Sequence, residues 1–323
     1  MRLKSRIERD WRFMSGLRRT LKRVKSIAPT SPNLLCDDLQ AAVEQWRDKP
    51  ALTFEGRTVT YGEMDAIANR FAHWAKGQNL RRGATVALFM PNRLEYFPIW
   101  YGLTKIGVVT ALINNQLSGL PLAHCLNISG ASHVIVDAET SVMFEQAKGL
   151  LDHPMQQWVL GQAHGGQRDL VQALKSCSQL PPDKGVRDGM TARDPALYIY
   201  TSGTTGLPKA ARITHVRAQL YMRAFAGATN ATSKDRIYVS LPLYHATGGL
   251  CGIGATLLNG GSVVLRCPVS RVERTPQGHF RLTTGGDVVV CNNDVDRPRS
   301  RTTHRQEPRD DPTLDPRRET SSP

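Results

Sequence analysis

Residues 200–209 read Tyr-Thr-Ser-Gly-Thr-Thr-Gly-Leu-Pro-Lys and concentrate groups suited to one task. Thr201, Ser202, Thr204 and Thr205 offer four hydroxyls, Lys209 offers an ammonium, and Gly203 and Gly206 let the backbone approach a ligand closely. Successive N–H groups in such a loop form an anion-binding concavity, and the added donors suit a polyphosphate. The run is not a Walker A loop, which ends in Gly-Lys-Ser/Thr and leads straight into a helix. Here Pro208 precedes Lys209, Ala210 follows it, and the next run is strand-like. A plain polar hairpin is the competing reading, since Gly, Ser and Thr are ordinary turn residues. So many suited positions within ten residues favour the phosphate loop.

Strands must hold this loop. Ala196-Leu197-Tyr198-Ile199-Tyr200 leads in and Ala210-Ala211-Arg212-Ile213 leads out, two short apolar runs of β type. Upstream, strand-like and helix-like runs alternate: 86–90, a Pro91-Asn92 turn, a helix to about 106, a strand at 108–113, a helix at 120–127 and a strand at 133–137. Thr60 with Glu63 makes a capping box ahead of a helix over 61–76. Residues 138–160 read as helix then strand, and 161–194 as a connecting region. After the loop come a helix from Thr214-His215 to about 227, a strand at 237–240, a helix at 250–258 and a strand at 262–265. Such alternation predicts an α/β fold, with mostly parallel sheets flanked by helices. His245, in Leu241-Pro242-Leu243-Tyr244-His245, falls just past a strand end, where α/β sheets place their ligands, although a lone histidine there is often a hydrogen-bonded core residue.

At residues 200–209 the chain resembles the acyl-adenylate-forming (AMP-binding) superfamily. The stretches Asn114-Asn115-Gln116-Leu117-Ser118-Gly119 and Leu122-Ala123-His124-Cys125-Leu126-Asn127-Ile128-Ser129-Gly130-Ala131 are similar to its very-long-chain acyl-CoA synthetase and fatty acid transport protein branch. The resemblance covers residues 34–265 and implies the N-terminal part of the adenylating-enzyme fold. It further implies an acid–thiol ligase: a fatty acid is adenylated by ATP with Mg²⁺, then transferred to coenzyme A. Carried over by match, Thr201, Ser202, Gly203, Thr204, Thr205, Gly206 and Lys209 bind the ATP phosphates, Thr201 is a hydroxyl ligand of Mg²⁺, and Tyr244 and His245 line the substrate pocket near the acyl carboxylate. The family's later motifs, its C-terminal lid domain and its catalytic lysine have no counterpart in residues 266–323, so the chain reads as truncated. Two alternatives remain, a membrane-associated fatty acid uptake or binding protein and an adenylating ligase for another carboxylic acid.

The 323 residues carry a net charge of +14. Residues 1–30 hold ten basic and two acidic residues, a local excess that speaks of a partner surface. Within them Leu3, Ile7, Trp11, Met14, Leu17, Leu21, Val24 and Ala28 recur at three- and four-residue steps, which predicts a basic amphipathic helix with a linker to 32. It fits an anionic membrane surface, or packing on its own domain; nucleic acid is disfavoured for want of a matching motif. No signal sequence and no membrane span is read, and six scattered cysteines point to a reduced compartment, so the expectation is a cytoplasmic protein peripheral to the inner face of the plasma membrane. Residues 33–265 make the partial adenylating domain. From 266 the chain has eleven arginines, no lysine and seven prolines, a composition that predicts a disordered tail, read here as out of frame with what precedes it.

Overall fold

A computed structural model describes residues 9–201 and 206–265, with the backbone of 2–8, 271–274, 280–284 and 287–291. Helix α1 (Arg2–Val24) precedes α2 (Leu35–Trp46), the hairpin β1 (Pro50–Phe54) and β2 (Arg57–Thr60), and α3 (Tyr61–Gly77). Then β3 (Thr85–Phe89), α4 (Tyr96–Thr104), β4 (Val109–Leu112), α5 (Gly119–Ser129), β5 (His133–Asp137), α6 (Ala138–Ala147) and β6 (Gln156–Leu160) alternate as the sequence predicts. The connecting region contributes β7 (Arg168–Asp169) and α7 (Leu170–Lys175). Next come the hairpin β8 (Pro195–Thr201) and β9 (Lys209–Thr214), α8 (His215–Ala228), β10 (Arg236–Val239) and β11 (Ser262–Leu265). The helix expected at 250–258 begins earlier and is a π-helix over Thr247–Gly254, followed by one α-helical turn at Ala255–Leu257.

Seven strands in the order β7-β6-β5-β3-β4-β8-β9 form one sheet, parallel except for the β8–β9 hairpin. Its central strands are buried on both faces, which is why β3, β4 and β5 read as near-continuous apolar runs. Successive residues still serve opposite sides: Val86 and Leu88 join the core with α2, α3 and α4, whereas Ala87 and Phe89 join the one with α5 and α6. A second sheet, β10-β11-β1-β2, stacks its strands in parallel except for the β1–β2 hairpin. The capping box forms: Thr60 Oγ1 accepts from Glu63 N at 3.2 Å, and Glu63 Oε2 accepts from Thr60 N at 2.7 Å.

Helix α1 is turned against its own amphipathicity. Its polar stripe faces the domain: Arg19 Nε donates to Gly227 O at 3.2 Å and Arg23 Nη2 to Ala231 O at 3.0 Å. The helices come close because α8 has glycine at the crossing; a Cβ on Gly227 would lie 2.5 Å from Thr20 Cα. Apolar residues of its middle point away, with Trp11 71 %, Phe13 69 % and Leu21 57 % exposed.

Residues 270–323 form a separate unit. The composition predicts no regular structure there, yet the backbone makes an antiparallel sheet of β12 (Arg271–Arg274), β13 (Phe280–Thr284) and β14 (Asp287–Cys291). The local alternation of 280–284 and the valines of 288–290 outweigh the Arg/Pro-rich average. The remainder of the expected tail lies outside the described residues.

Candidate active site

The hairpin is built as the loop requires. Strand β8 is anchored in the sheet by β4, with Thr110↔Leu197 and Leu112↔Ile199 in register. It then pairs with β9 up to Tyr200↔Ala210 and Thr201↔Lys209. Thr201 and Lys209 are therefore cross-strand neighbours at the mouth of a loop spanning 202–208. Both are exposed, as is Gly206, whose φ of +98° lies in the region that glycine alone enters readily. Ser202, Gly203, Thr204 and Thr205 lie outside the described residues. Since β3, β4, β5 and β8 run parallel in register, the loop leaves the same carboxyl edge as the segments after β3 and β5, where open α/β sheets hold ligands.

Tyr244 and His245 approach this edge from the second sheet. They follow β10, with ring centroids 4.4 Å apart; Tyr244 is 7 % exposed and His245 is exposed. Burial raises the Tyr244 phenol pKa, and Tyr96 beneath it is raised by burial and by the neighbouring Tyr244. The joint between the sheets is Asn92, just past β3. Its Nδ2 donates to Leu241 O at 2.9 Å, and its Oδ1 accepts from Leu243 N at 2.9 Å. One side chain thus fixes the backbone that carries Tyr244 and His245. Strand β8 lies two strands from β3, roughly 10 Å by the usual spacing, so the β8–β9 hairpin end and the Tyr244–His245 segment flank a common edge. The sequence marks Asn92 only as a turn residue after a buried strand; its reach to 241–243 depends on the meeting of two sheets.

Charges at this edge divide into committed and uncommitted. Arg93 is held by Glu95 at 2.9 Å, by Asp137 and by the Leu160 carbonyl at 3.1 Å. Among the described residues Lys209 has no ion pair. No group of three or more His, Cys, Asp or Glu among the described residues could cage a metal by itself. The exposed Thr201 hydroxyl is a hard oxygen donor that fits Mg²⁺ bound mainly through substrate phosphates.

A hydroxyl and glycine loop, clamped by a β-hairpin at the carboxyl edge of a parallel sheet, is the arrangement on which comparison with known proteins turns. The profile of the family described as AMP-binding enzyme matches residues 39–280. The chain belongs to the AMP-binding enzyme family. Its match runs past residue 265, where the resemblance read from the sequence ends. Among related proteins, long-chain fatty acid transport protein 6 of Mus musculus is 34% identical over 224 residues, covering 68% of this chain and 35% of that protein. Long-chain fatty acid transport protein 1 of Bos taurus is 35% identical over 263 residues, covering 77% and 39%. This AMP-binding chain thus spans little more than a third of the length of the curated relatives it matches. Among solved structures, the anthranilate CoA ligase AuaEII in complex with anthranoyl-AMP superposes with a TM-score of 0.69 at 22% identity, over 75% of this chain and 46% of that one. The α/β fold is therefore that of the N-terminal part of adenylating enzymes.

Proposed function

We propose that this AMP-binding chain carries the nucleotide and acyl sites of a long-chain or very-long-chain fatty acid–CoA ligase of the AMP-forming type. The observation that carries the reading is the hairpin closed by Thr201 and Lys209 at the edge shared with Tyr244 and His245. It is supported by relatives named long-chain fatty acid transport proteins. In the first step a fatty acid carboxylate oxygen attacks the α-phosphorus of ATP, and the bond to the bridging oxygen breaks to release pyrophosphate. The sulfur of coenzyme A then attacks the acyl carbon and AMP leaves. Two anions must meet in the first step, so charge neutralisation and orientation are the protein's task. Lys209 and the N–H groups and hydroxyls of 201–206 hold the phosphates, while Tyr244 and His245 border the acid. Mg²⁺, with Thr201 among its ligands, would neutralise phosphate charge.

Titration of the full chain with Mg·ATP tests the reading. Saturable binding that weakens in Lys209→Ala supports it, and absence of binding overturns it. ATP–pyrophosphate exchange across acids of graded length, in a full-length relative, separates a fatty acid ligase from one for other carboxylic acids.

A second reading, contact with an anionic membrane, rests on the orientation of α1. The helix spends its polar stripe on α8 and presents Trp11, Phe13, Met14, Leu17 and Leu21 beside Arg12, Arg18 and Lys22, a pattern suited to an acidic lipid surface. Among the described residues no helix is long and apolar enough to cross a membrane. Salt-sensitive binding to vesicles containing phosphatidylserine, lost on deleting residues 1–30, is the expected result; equal binding by the deletion variant sinks the idea.

A further inference from the structure

Helix α5 touches both ends of the phosphate loop. On the entering side, Tyr200 is buried in the same apolar cluster as Leu122, Cys125 and Leu126 of α5. On the leaving side, His124 Nε2 lies 3.0 Å from the carbonyl oxygen of Pro208, the residue before Lys209. A carbonyl can only accept, so Nε2 carries the proton in this contact. Proline has no N–H, so the carbonyl is the one backbone hydrogen-bonding group that Pro208 itself offers. Lys209 itself is exposed and has no ion pair among the described residues, so the direction of its ammonium depends on how the Pro208–Lys209 peptide is held.

We propose that His124 is a positioning residue of the nucleotide site: through the Pro208 carbonyl it fixes the closing end of the loop and thereby aims Lys209. The inference rests on the reading of 201–209 as a phosphate loop and adds to it a residue from a different element. It acts through the loop backbone. In the partly buried setting the bond constrains one peptide at the base of Lys209, so its loss spreads the ammonium over more positions and weakens every phosphate contact that needs a fixed one.

The test uses the full chain with His124→Phe, which keeps a flat ring but no donor, and His124→Gln, which keeps an N–H of comparable reach. Two quantities are read: the dissociation constant for Mg·ATP, and hydrogen exchange of the backbone over 200–210. His124→Phe is expected to weaken ATP binding roughly three- to tenfold, the range for one lost hydrogen bond, and to speed exchange in 206–210. His124→Gln is expected to lie within about twofold of the parent in both. A merely space-filling role predicts the reverse order, with Phe tolerated and Gln not, and that result overturns the proposal. Equal ATP affinity and equal exchange in parent and His124→Phe overturn it as well. If the parent binds no ATP, the nucleotide reading fails on its own. The exchange comparison then still decides the His124–Pro208 link: unchanged rates in His124→Phe refute it, and faster rates restored by Gln uphold it.

Discussion

Two lysines of this chain show opposite uses of the same ammonium. Lys105, at the end of α4, is buried and saturated: its Nζ meets Asp65 Oδ1 at 2.5 Å, Asn69 Oδ1 at 2.6 Å and Gln40 Oε1 at 2.9 Å, and lies 4.6 Å from the centre of the Tyr101 ring. An ammonium has three protons, and three oxygens take them. Burial lowers its pKa while Asp65 opposes the shift. Lys209 stands at the mouth of the loop, exposed and without an ion pair among the described residues. A cation whose proton donors are all spent internally ties α3 to α4; one with donors to spare is available to a phosphate. Position in the fold, more than residue type, separates a charge spent on structure from one left open to solvent.

The largest effect is expected where the saturated cation loses its counter-charge. Asp65→Ala leaves Lys105 buried and unpaired and is expected to cost about 3–5 kcal/mol, read as a fall in the urea midpoint. Adding Lys105→Met to that variant should recover part of the loss, because it removes the buried unpaired ammonium while keeping the length of the side chain. A loss below about 1 kcal/mol for Asp65→Ala alone would show that Lys105 reaches water, and the contrast with Lys209 would fail.

A third basic group extends the contrast. His215, at the start of α8, is fully buried, and its Nδ1 accepts from Leu35 N at 3.3 Å. Its Nε2 has no hydrogen-bond partner among the described residues. Burial, reinforced by Arg187, brings its pKa from 6.5 down to about 4. Here the fold keeps a base neutral where at Lys105 it keeps one charged. Between pH 6.5 and 4 the unfolded chain takes up a proton that the folded chain refuses. Stability is thus complete above pH 6.5 and falls with pH by up to about 3 kcal/mol at pH 4. Urea midpoints measured from pH 7 to 4 check this. His215→Asn, whose side-chain oxygen can still accept from Leu35, should flatten the dependence; an unchanged slope would assign it to other groups.

Lys209→Ala completes the comparison with the opposite signature. Folding stability should move by less than about 0.5 kcal/mol, as for an exposed side chain, while the dissociation constant for Mg·ATP rises roughly ten- to a hundredfold, the value of hydrogen bonds to a charged group. Equal losses in stability and affinity would make Lys209 a structural cation like Lys105.

The same division governs what could be read from the sequence. Periodicity within one element marked β3, β4, β5, the β8–β9 hairpin and the Thr60–Glu63 cap, because each rests on neighbours close in the chain. The polar loop between β8 and β9 was legible for the same reason: its hydroxyls and glycines are consecutive. The Lys105 network joins Gln40, Asp65 and Asn69 across three helices, and Asn92 reaches residues 241 and 243, so no local pattern announces either. Helix α1 was legible as amphipathic but not in orientation. The apolar stripe suits a lipid surface or packing on the domain alike, and it is the hydrogen bonds of Arg19 and Arg23 to α8 and its C-terminal turn that set which side faces the domain. At 250–258 the pattern predicts an ordinary helix, but Gly248 and Gly249 let the backbone of 241–243 press against a π-helical coil over Thr247–Gly254, and Gly254 admits the Met222 side chain.

The smallest of these effects is the most discriminating. Asn92 belongs to neither class of lysine; it is neutral and half-buried, and both of its hydrogen bonds go to backbone of the other sheet. Asn92→Ala removes one donor and one acceptor, about 1–2 kcal/mol in all at a site where water can partly replace them. What it should loosen is the segment bearing Tyr244 and His245, while β8 and the phosphate loop stay anchored by β4. The expected outcome is therefore split: affinity for a fluorescent long-chain fatty acid falls severalfold and affinity for Mg·ATP stays within about twofold. Asn92→Asp keeps the acceptor for Leu243 N but sets a carboxylate against the Leu241 carbonyl, so it should be worse than alanine for the acid. If ATP and acid affinities instead fall together in Asn92→Ala, the two sheets do not hold separable halves of the site, and Tyr244 and His245 belong to the same rigid unit as Lys209.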